Sequence, residues 1–332
     1  MSFEPDAQPQ QAQAQPQPPE PAAPLTRVPW DAVALFVAVA YGLAWLVMLP
    51  LLRLDPETAA DMPMATQLLL SQLPAVMMFT PAVAMLVVVF FAKTPRRARA
   101  RFLGLWPLRP AKRVVWLMVI GYFGPMVFVV LALGIALLFG WLTPDFAEFS
   151  GYAELLVAAG APAELARTAA ITQLAIIPLA GLINIVVAFG EEIGWRGWLL
   201  PALRPLGTWR ALLVSGVIWG LWHTPVTLLG HNFQLYDWRG VALMIVGCTL
   251  LGTLFGWLRL RSGSVWPAVL AHAAFNAAGG VFMVIAMAGA PLEPWLVNPL
   301  GVSGWIAAAI IIVVLVAAGQ FGKQPSLAPP RR

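Results

Sequence analysis

The feature that most constrains the fold is a series of long, nearly uncharged apolar runs. A helix needs about 20 apolar residues to cross a bilayer. Because the bilayer core offers no water to backbone N–H and C=O groups, such runs fold as spanning helices. We therefore predict an all-α, polytopic membrane protein with eight transmembrane helices. The predicted spans lie at 32–52, 67–92, 114–141, 170 to about 200, 209–230, 240–258, 265–288 and 302–320.

The composition supports a membrane protein. Hydrophobic residues make up 60% of the chain and charged residues 11%, and the mean hydropathy is +0.79. A soluble domain has about 25% charged residues. The single cysteine, Cys248, excludes a disulfide framework and a zinc–thiolate cluster. Since it lies in an apolar run, we expect it to pack in the core.

The loops between the predicted spans alternate in charge. Most Lys and Arg residues fall on one side, with the densest group between residues 93 and 113. The other side carries most of the acidic residues and few basic ones. By the positive-inside rule, the basic side is cytoplasmic, and an even number of spans places both termini there. The net charge of +5 therefore indicates topology and contact with anionic lipid rather than nucleic acid binding.

The ends of the chain differ from its centre in composition. Residues 1–24 are rich in Pro, Gln and Ala and contain few large apolar groups. Such a segment cannot bury enough surface to fold. We predict a disordered cytoplasmic tail at 1–26, one helical domain at 27–321 and a cytoplasmic C-terminal tail at 322–332.

Two adjacent carboxylates lie in the fourth predicted span. Glu191 and Glu192 follow an uncharged stretch, and Arg196 comes four residues after Glu192. A charge near the bilayer centre costs at least about 2.5–3.5 kcal/mol, so such residues are usually functional. Adjacent carboxylates repel each other, so one is expected to bind a proton or share a cation. On a helix, Arg196 can pair with Glu192 and keep it ionised, while Glu191 points about 100° away and can face a cavity.

Two of the three histidines lie inside other predicted spans. His223 is in the fifth span, and His272 is in the seventh, with Asn276 four residues later on the same helical face. His231 follows the fifth span, and we expect it at the surface. A lone intramembrane histidine often only links helices through a hydrogen bond. Polar groups on three helices of an apolar bundle instead indicate one shared intramembrane site.

These residues match the needs of a hydrolase. Glu191 can act as a general base on water, and His223 can hold or polarise that water. His272 and Asn276 can donate hydrogen bonds to a developing oxyanion. The chain has no Gly-x-Ser-x-Gly motif, and Cys248 has no His close to it in sequence. A covalent nucleophile is therefore not expected.

A metal site is the alternative chemistry. One Glu and two His form a known zinc ligand set with an open fourth position, and a zinc-dependent form would use Glu191, His223 and His272. The usual His-Glu-x-x-His helix is absent, and Asn276 and Arg196 suit oxyanion and ion-pair roles better. We expect no cofactor, with zinc as the alternative.

At these residues the sequence resembles the CAAX-processing and bacteriocin-processing (CPBP) family of intramembrane proteases, which includes the type II CAAX endopeptidases. The family pattern is Glu-Glu-x-x-x-Arg, then an aromatic residue four before a His, then a His followed at the fourth place by Asn. The resemblance covers about residues 181–280. Trp219 stands where Phe is common, a departure that alters the cavity width. The matching residues are Glu191, Glu192, Arg196, Trp219, His223, His272 and Asn276.

The resemblance implies an eight-helix protease domain in which Glu191 activates water, while the two His and Asn276 stabilise the transition state. We predict a glutamate-dependent endopeptidase that cleaves near the C-terminus of a peptide or protein substrate, either prenylated or strongly apolar. Its predicted location is a bacterial plasma membrane. The candidate substrate-lining residues are Trp195, Trp219 and Trp222.

Two other classes of function are possible for such a chain. A membrane immunity or scaffold protein would bind a peptide without cutting it, but binding alone does not require so many converging polar groups. An ion-coupled transporter also carries intramembrane carboxylates. The sequence lacks the inverted repeat that is common in such transporters.

Overall fold

A computed structural model describes residues 25–55 and 62–324. Most of the predicted tails, residues 1–26 and 322–332, therefore lie outside the described residues. All regular elements within the described ranges are helical, and one isolated bridge joins Pro144 and Ala286. The predicted all-α class is confirmed.

The helices follow one another with short connections. The first half of the described chain contains α1 (Trp30–Leu52), α2 (Met64–Ser71), α3 (Leu73–Met77), α4 (Thr80–Leu86), a π-helix (Val87–Phe91), α5 (Arg99–Phe102), α6 (Ala111–Leu138) and α7 (Ser150–Ala158). Next come α8 (Ala166–Ile183), α9 (Ile185–Glu192), a second π-helix (Ile193–Leu199), α10 (Leu200–Leu203), α11 (Thr208–Trp222) and α12 (Thr224–Thr227). The last are α13 (Trp238–Ser262), α14 (Trp266–Ala278), α15 (Val281–Ile285), α16 (Pro294–Val297) and α17 (Val302–Ala317).

The predicted count of eight spans is corrected by the structure. Within the described residues, six helical stretches are long and apolar enough to cross a membrane, or seven if the bent pair at 64–77 and 80–91 is one span. These apolar helices fit an integral membrane protein. The predicted span at 67–92 is this bent pair. The predicted spans at 170–200 and 209–230 both break: the first keeps one spanning piece, Ala163–Ile183, whereas the second leaves pieces that are too short to count.

Local chemistry explains both breaks. At the first break, the Asn184 side chain donates to Ala180 O at 2.9 Å, and α8 ends one residue before Asn184. At the second break, Pro225 has no backbone N–H to continue the helix. The Thr224 hydroxyl instead donates to Leu221 O at 2.6 Å. The resulting α11 has 15 residues, about 22 Å of helix, which is short for a bilayer core of about 30 Å.

The Lys- and Arg-rich segments meet at one end of the bundle, which we call the basic end (residues 93–113, 204–210, 259–266 and 320–324). Arg259 Nη2 donates to Phe102 O at 2.8 Å, and Arg204 Nη2 donates to the Gln324 side chain at 2.7 Å. Arg259 itself is fully buried. The predicted span at 240–258 ended before Arg259 and placed it in the next loop; in the structure it lies within α13 (Trp238–Ser262), so this boundary is wrong.

The opposite, acidic end consists of residues 139–158, 228–237 and 286–300. Asp145 N donates to Ile285 O at 2.8 Å, and the Asn298 side chain donates to Asn232 O at 3.1 Å. The loops that the sequence placed on separate sides of the membrane therefore also lie at separate ends of the folded bundle.

Glycines bring α11 close to α13. A Cβ atom added at Gly216 would lie 2.6 Å from Thr249 Cα, and one at Gly220 would lie 2.5 Å from Ile245 Cα. Small residues allow membrane helices to approach at backbone distance, where van der Waals packing stabilises them. This packing fixes Trp219 and His223, both on α11 or at its end, against α13.

Candidate active site

The site begins where α9 changes into the π-helix Ile193–Leu199. All seven residues of this π-helix are buried. Single π turns inside α-helices are frequent at functional sites. The wider turn still leaves Glu192 and Arg196 in contact, with Arg196 Nη1 2.6 Å from Glu192 Oε1. The predicted pair is therefore present.

Glu191 lies on the wall of the central cavity, and its side chain is only 2% exposed. Its Oε2 accepts hydrogen bonds from Trp219 Nε1 at 2.7 Å and from Trp195 Nε1 at 3.1 Å. Its Oε1 lies 3.9 Å from His272 Nε2. One carboxylate oxygen is thus held by two indole groups, and the other is directed towards His272.

Glu192 is fully buried and turned away from the cavity wall. Its Oε1 contacts both Arg196 Nη1 and His272 Nδ1, the latter at 2.9 Å. Its Oε2 has no hydrogen-bond partner among the described residues. The Arg196 guanidinium also lies over the rings of Trp219 and Phe255, at 4.2 and 5.4 Å from their centroids. Glu192 therefore links the Arg196 guanidinium to the His272 imidazole.

The two histidines flank Trp219. Ring centroids are 5.6 Å apart for Trp219 and His223, and 5.5 Å apart for Trp219 and His272. His223 Nδ1 lies 2.9 Å from Trp219 O and 3.7 Å from Cys248 Sγ. Because a carbonyl oxygen only accepts, Nδ1 carries the proton in that contact, and a neutral His223 presents a lone pair at Nε2. The same reasoning gives His272 an Nδ1–H that donates to Glu192.

The predicted site residues that face open space line a cavity of about 870 Å³. Pockets that bind small ligands have volumes of about 300–1,000 Å³. Asn276 is exposed on its wall, one turn after His272. Of the three tryptophans predicted to line a substrate groove, Trp219 and Trp222 line this cavity, whereas Trp195 is fully buried and donates to Glu191. The polar lining residues include Glu191, His223, Cys248, His272 and Asn276, together with Ser71, Glu154, Asn184, His231, Asn232, Gln234 and Asn298.

Sequence reasoning missed three features of the site. Trp219 was considered for its effect on the cavity width and as a lining residue, although an indole, unlike the phenyl ring of Phe, also carries an N–H donor. Cys248 was expected only to pack, yet it lines the cavity beside His223. Arg259 Nε donates to Arg196 O at 2.9 Å and so supports the π-helix from behind. The N–H donor of Trp219 could be recognised from the residue type, whereas the positions of Cys248 and Arg259 depend on contacts between distant parts of the chain.

The alternative zinc ligands predicted from the sequence are Glu191, His223 and His272. Among the described residues, no group of three or more His, Cys, Asp or Glu side chains is arranged to hold a metal ion. His223 Nδ1 faces a carbonyl of its own helix, and His272 Nδ1 faces Glu192, so each leaves only Nε2 available.

Comparison with known families matches the segment that carries these residues. The family model for Type II CAAX prenyl endopeptidase Rce1-like proteins matches residues 173–278. The match includes α9, the π-helix Ile193–Leu199, α11 and the whole of α14, and with them every predicted site residue. A search of curated proteins gives no match. Over residues 173–278 the chain is therefore similar to Type II CAAX prenyl endopeptidase Rce1-like proteins, and the resemblance predicted from the motifs is confirmed for this segment.

Proposed function

We propose that the protein is a glutamate-dependent intramembrane endopeptidase of the CAAX-processing type. The observation that carries the proposal is the environment of Glu191. Two indole N–H groups hold its Oε2, its Oε1 lies 3.9 Å from His272 Nε2, and the residue lines the cavity. A general base needs a fixed position and access to water, and this arrangement supplies both.

In the proposed reaction, a water molecule lies between Glu191 Oε1 and His223 Nε2. Glu191 removes a proton from the water as its oxygen attacks the carbonyl carbon of the scissile peptide bond. The C–N bond of the tetrahedral intermediate then breaks, and the proton passes from Glu191 to the departing amine. His223 acts as a hydrogen-bond acceptor that orients the water, consistent with its Nδ1 contact to Trp219 O.

The oxyanion of the intermediate requires donors. We assign this role to His272 and Asn276, which lie one helical turn apart on α14. In the proposed reaction the His272 ring carries a proton on both nitrogens: Nδ1–H donates to Glu192, and Nε2–H donates to the oxyanion. Removing one oxyanion donor typically lowers kcat by about 10²–10³-fold. Arg196 balances the second negative charge and keeps Glu192 in position.

The proposed substrate is a peptide or protein, either prenylated or strongly apolar, cut near its C-terminus. The proposed location is a bacterial plasma membrane with the basic end in the cytoplasm, and both termini on that side. Support comes from contacts of the basic segments at one end of the bundle together with the positive-inside rule. No cofactor is proposed, and zinc is the alternative that the experiments below distinguish.

The test is cleavage of a farnesylated CAAX peptide, and of its unprenylated form, by purified protein. Glu191→Gln keeps the shape of the side chain but removes the base, so we expect turnover to fall by about 10²–10⁴-fold. Glu164→Gln, outside the cavity lining, is the matched control and should retain full activity. Full turnover by Glu191→Gln would show that the base is misassigned.

A further inference from the structure

Asn184 lies on the wall of the same cavity as Glu191. It precedes Glu191 by seven residues, which is about two turns of helix, so both residues belong to one helical face. Val187, between them on that face, lines the cavity as well. At a rise of about 1.5 Å per residue, Asn184 lies about 10 Å from Glu191 along the helix axis.

One polar atom of Asn184 has no partner within the described part of the chain. The side chain donates to Ala180 O at 2.9 Å, and because a carbonyl oxygen only accepts, the amide nitrogen is the atom in that contact. None of the described residues donates a hydrogen bond to Asn184 Oδ1. The interruption between α8 and α9 therefore accounts for the nitrogen and leaves the oxygen as an acceptor for a ligand in the cavity.

Apolar side chains adjoin Asn184 and Glu191 on the cavity wall. Val187 and Met78 both line the cavity, and Met78 lies against α9, because a Cβ atom added at Gly190 would be 2.9 Å from Met78 O. A peptide bound in such surroundings loses hydrogen bonds to water, and a backbone N–H without a new acceptor weakens the complex. An amide oxygen on this wall can accept one backbone N–H of a peptide whatever side chain that residue carries.

We propose that Asn184 is a specificity-determining residue whose Oδ1 accepts a backbone N–H of the substrate about three residues from the scissile peptide bond. An extended chain advances about 3.3 Å per residue, so the separation of about 10 Å between Glu191 and Asn184 corresponds to about three residues. The inference rests on the proposed function, which places the scissile bond at Glu191. Because Asn184 is remote from the reacting atoms, its contact stabilises substrate and transition state equally and changes KM rather than kcat.

A series of N-methylated peptides tests this contact. The parent is a farnesylated CAAX peptide, and each member carries one N-methyl group at a different backbone amide, which removes that N–H and keeps the carbonyl. With wild type, KM should rise about 2- to 10-fold for the member methylated about three residues from the scissile bond, as expected for one neutral hydrogen bond. With Asn184→Leu, KM for the parent should already be raised by that factor, and the same methyl group should add nothing. A steric effect of the methyl group would appear equally in both proteins.

Two further variants separate substrate binding from the structural contact of Asn184. Asn184→Asp loses the donor to Ala180 but keeps an oxygen acceptor, so the position-specific effect of N-methylation should persist. Gln173→Leu replaces an exposed amide on α8 outside the cavity lining and should match wild type. Loss of the position-specific effect in Asn184→Asp as well as in Asn184→Leu would assign Asn184 a structural role only and would overturn the inference.

The outcomes also distinguish this inference from the proposed function. If wild type cleaves the peptides but N-methylation acts equally on wild type and Asn184→Leu at every position, the inference fails while the proposed function stands. If no peptide is cleaved, the proposed function fails, and Kd values of fluorescently labelled peptides, measured by anisotropy in detergent, decide the contact. An N-methyl position that weakens binding to wild type but not to Asn184→Leu supports the contact, and the same Kd pattern in both proteins overturns it.

Discussion

Arg196 balances the charge of Glu192 in a fully buried environment, and its removal gives the most quantitative test of the site. Their side chains are 2% and 0% exposed and 2.6 Å apart. Breaking a buried pair by removing one partner costs about 3–5 kcal/mol, because the remaining charge has lost its partner. We therefore expect Arg196→Met to lower the free energy of unfolding in detergent by about that amount.

A double variant separates this charge effect from simple loss of packing. In Glu192→Gln with Arg196→Met neither charge remains, so the double variant should be more stable than Arg196→Met alone. The matched control is Arg239→Met, because Arg239 pairs with Asp237 at 2.9 Å but is 61% exposed. An exposed pair contributes about 0–1 kcal/mol. Chemical denaturation measures all four proteins, and an Arg196→Met variant as stable as the control would refute the reasoning.

Three further predictions follow from other contacts. Trp219→Phe keeps a ring but loses the indole N–H that donates to Glu191. A hydrogen bond to a charged group contributes about 1.5–3 kcal/mol, so kcat on a peptide substrate should fall by about tenfold or more with little change in KM. Gly220→Ala places a Cβ atom 2.5 Å from the facing helix, whereas a Cβ atom at Gly134 meets nothing within 4 Å. Thermal unfolding should therefore show a free energy of unfolding lower by about 1–3 kcal/mol for Gly220→Ala and unchanged for Gly134→Ala. Hydrogen bonds lower the pKa of Asp145, chiefly the one from the Ser150 hydroxyl and then those from backbone N–H groups. The ionised carboxylate therefore stabilises the folded state above the usual carboxyl pKa, and this contribution is lost as the pH falls through the lowered pKa. Unfolding midpoints of wild type and Asp145→Asn should differ at neutral pH and converge in acid.

The chemistry of the site was more predictable than its architecture. The helical spacing of Glu192 and Arg196 predicted their contact, and the polar residues on three apolar runs predicted that His272 would approach the two carboxylates. Both follow from periodicity and from the cost of isolated charge in an apolar interior.

The helix boundaries were less predictable, because tertiary contacts determine them. Hydropathy treats residues 170–200 as one run, but the Asn184 side chain and the π-helix divide it. Charge counting placed Arg259 in a loop, although its hydrogen bonds to two backbone carbonyls allow it to be buried. Such contacts join residues far apart in sequence, so a local pattern does not reveal them.

The central claim, that Glu191 activates water without a metal, is tested most directly on the purified protein in detergent. Metal content is measured first, and cleavage of a farnesylated CAAX peptide by wild type and Glu191→Ala is then followed with and without a strong chelator. The account predicts cleavage that resists the chelator and is lost in the variant. Stoichiometric zinc together with chelator-sensitive cleavage would contradict it and would make Glu191, His223 and His272 metal ligands.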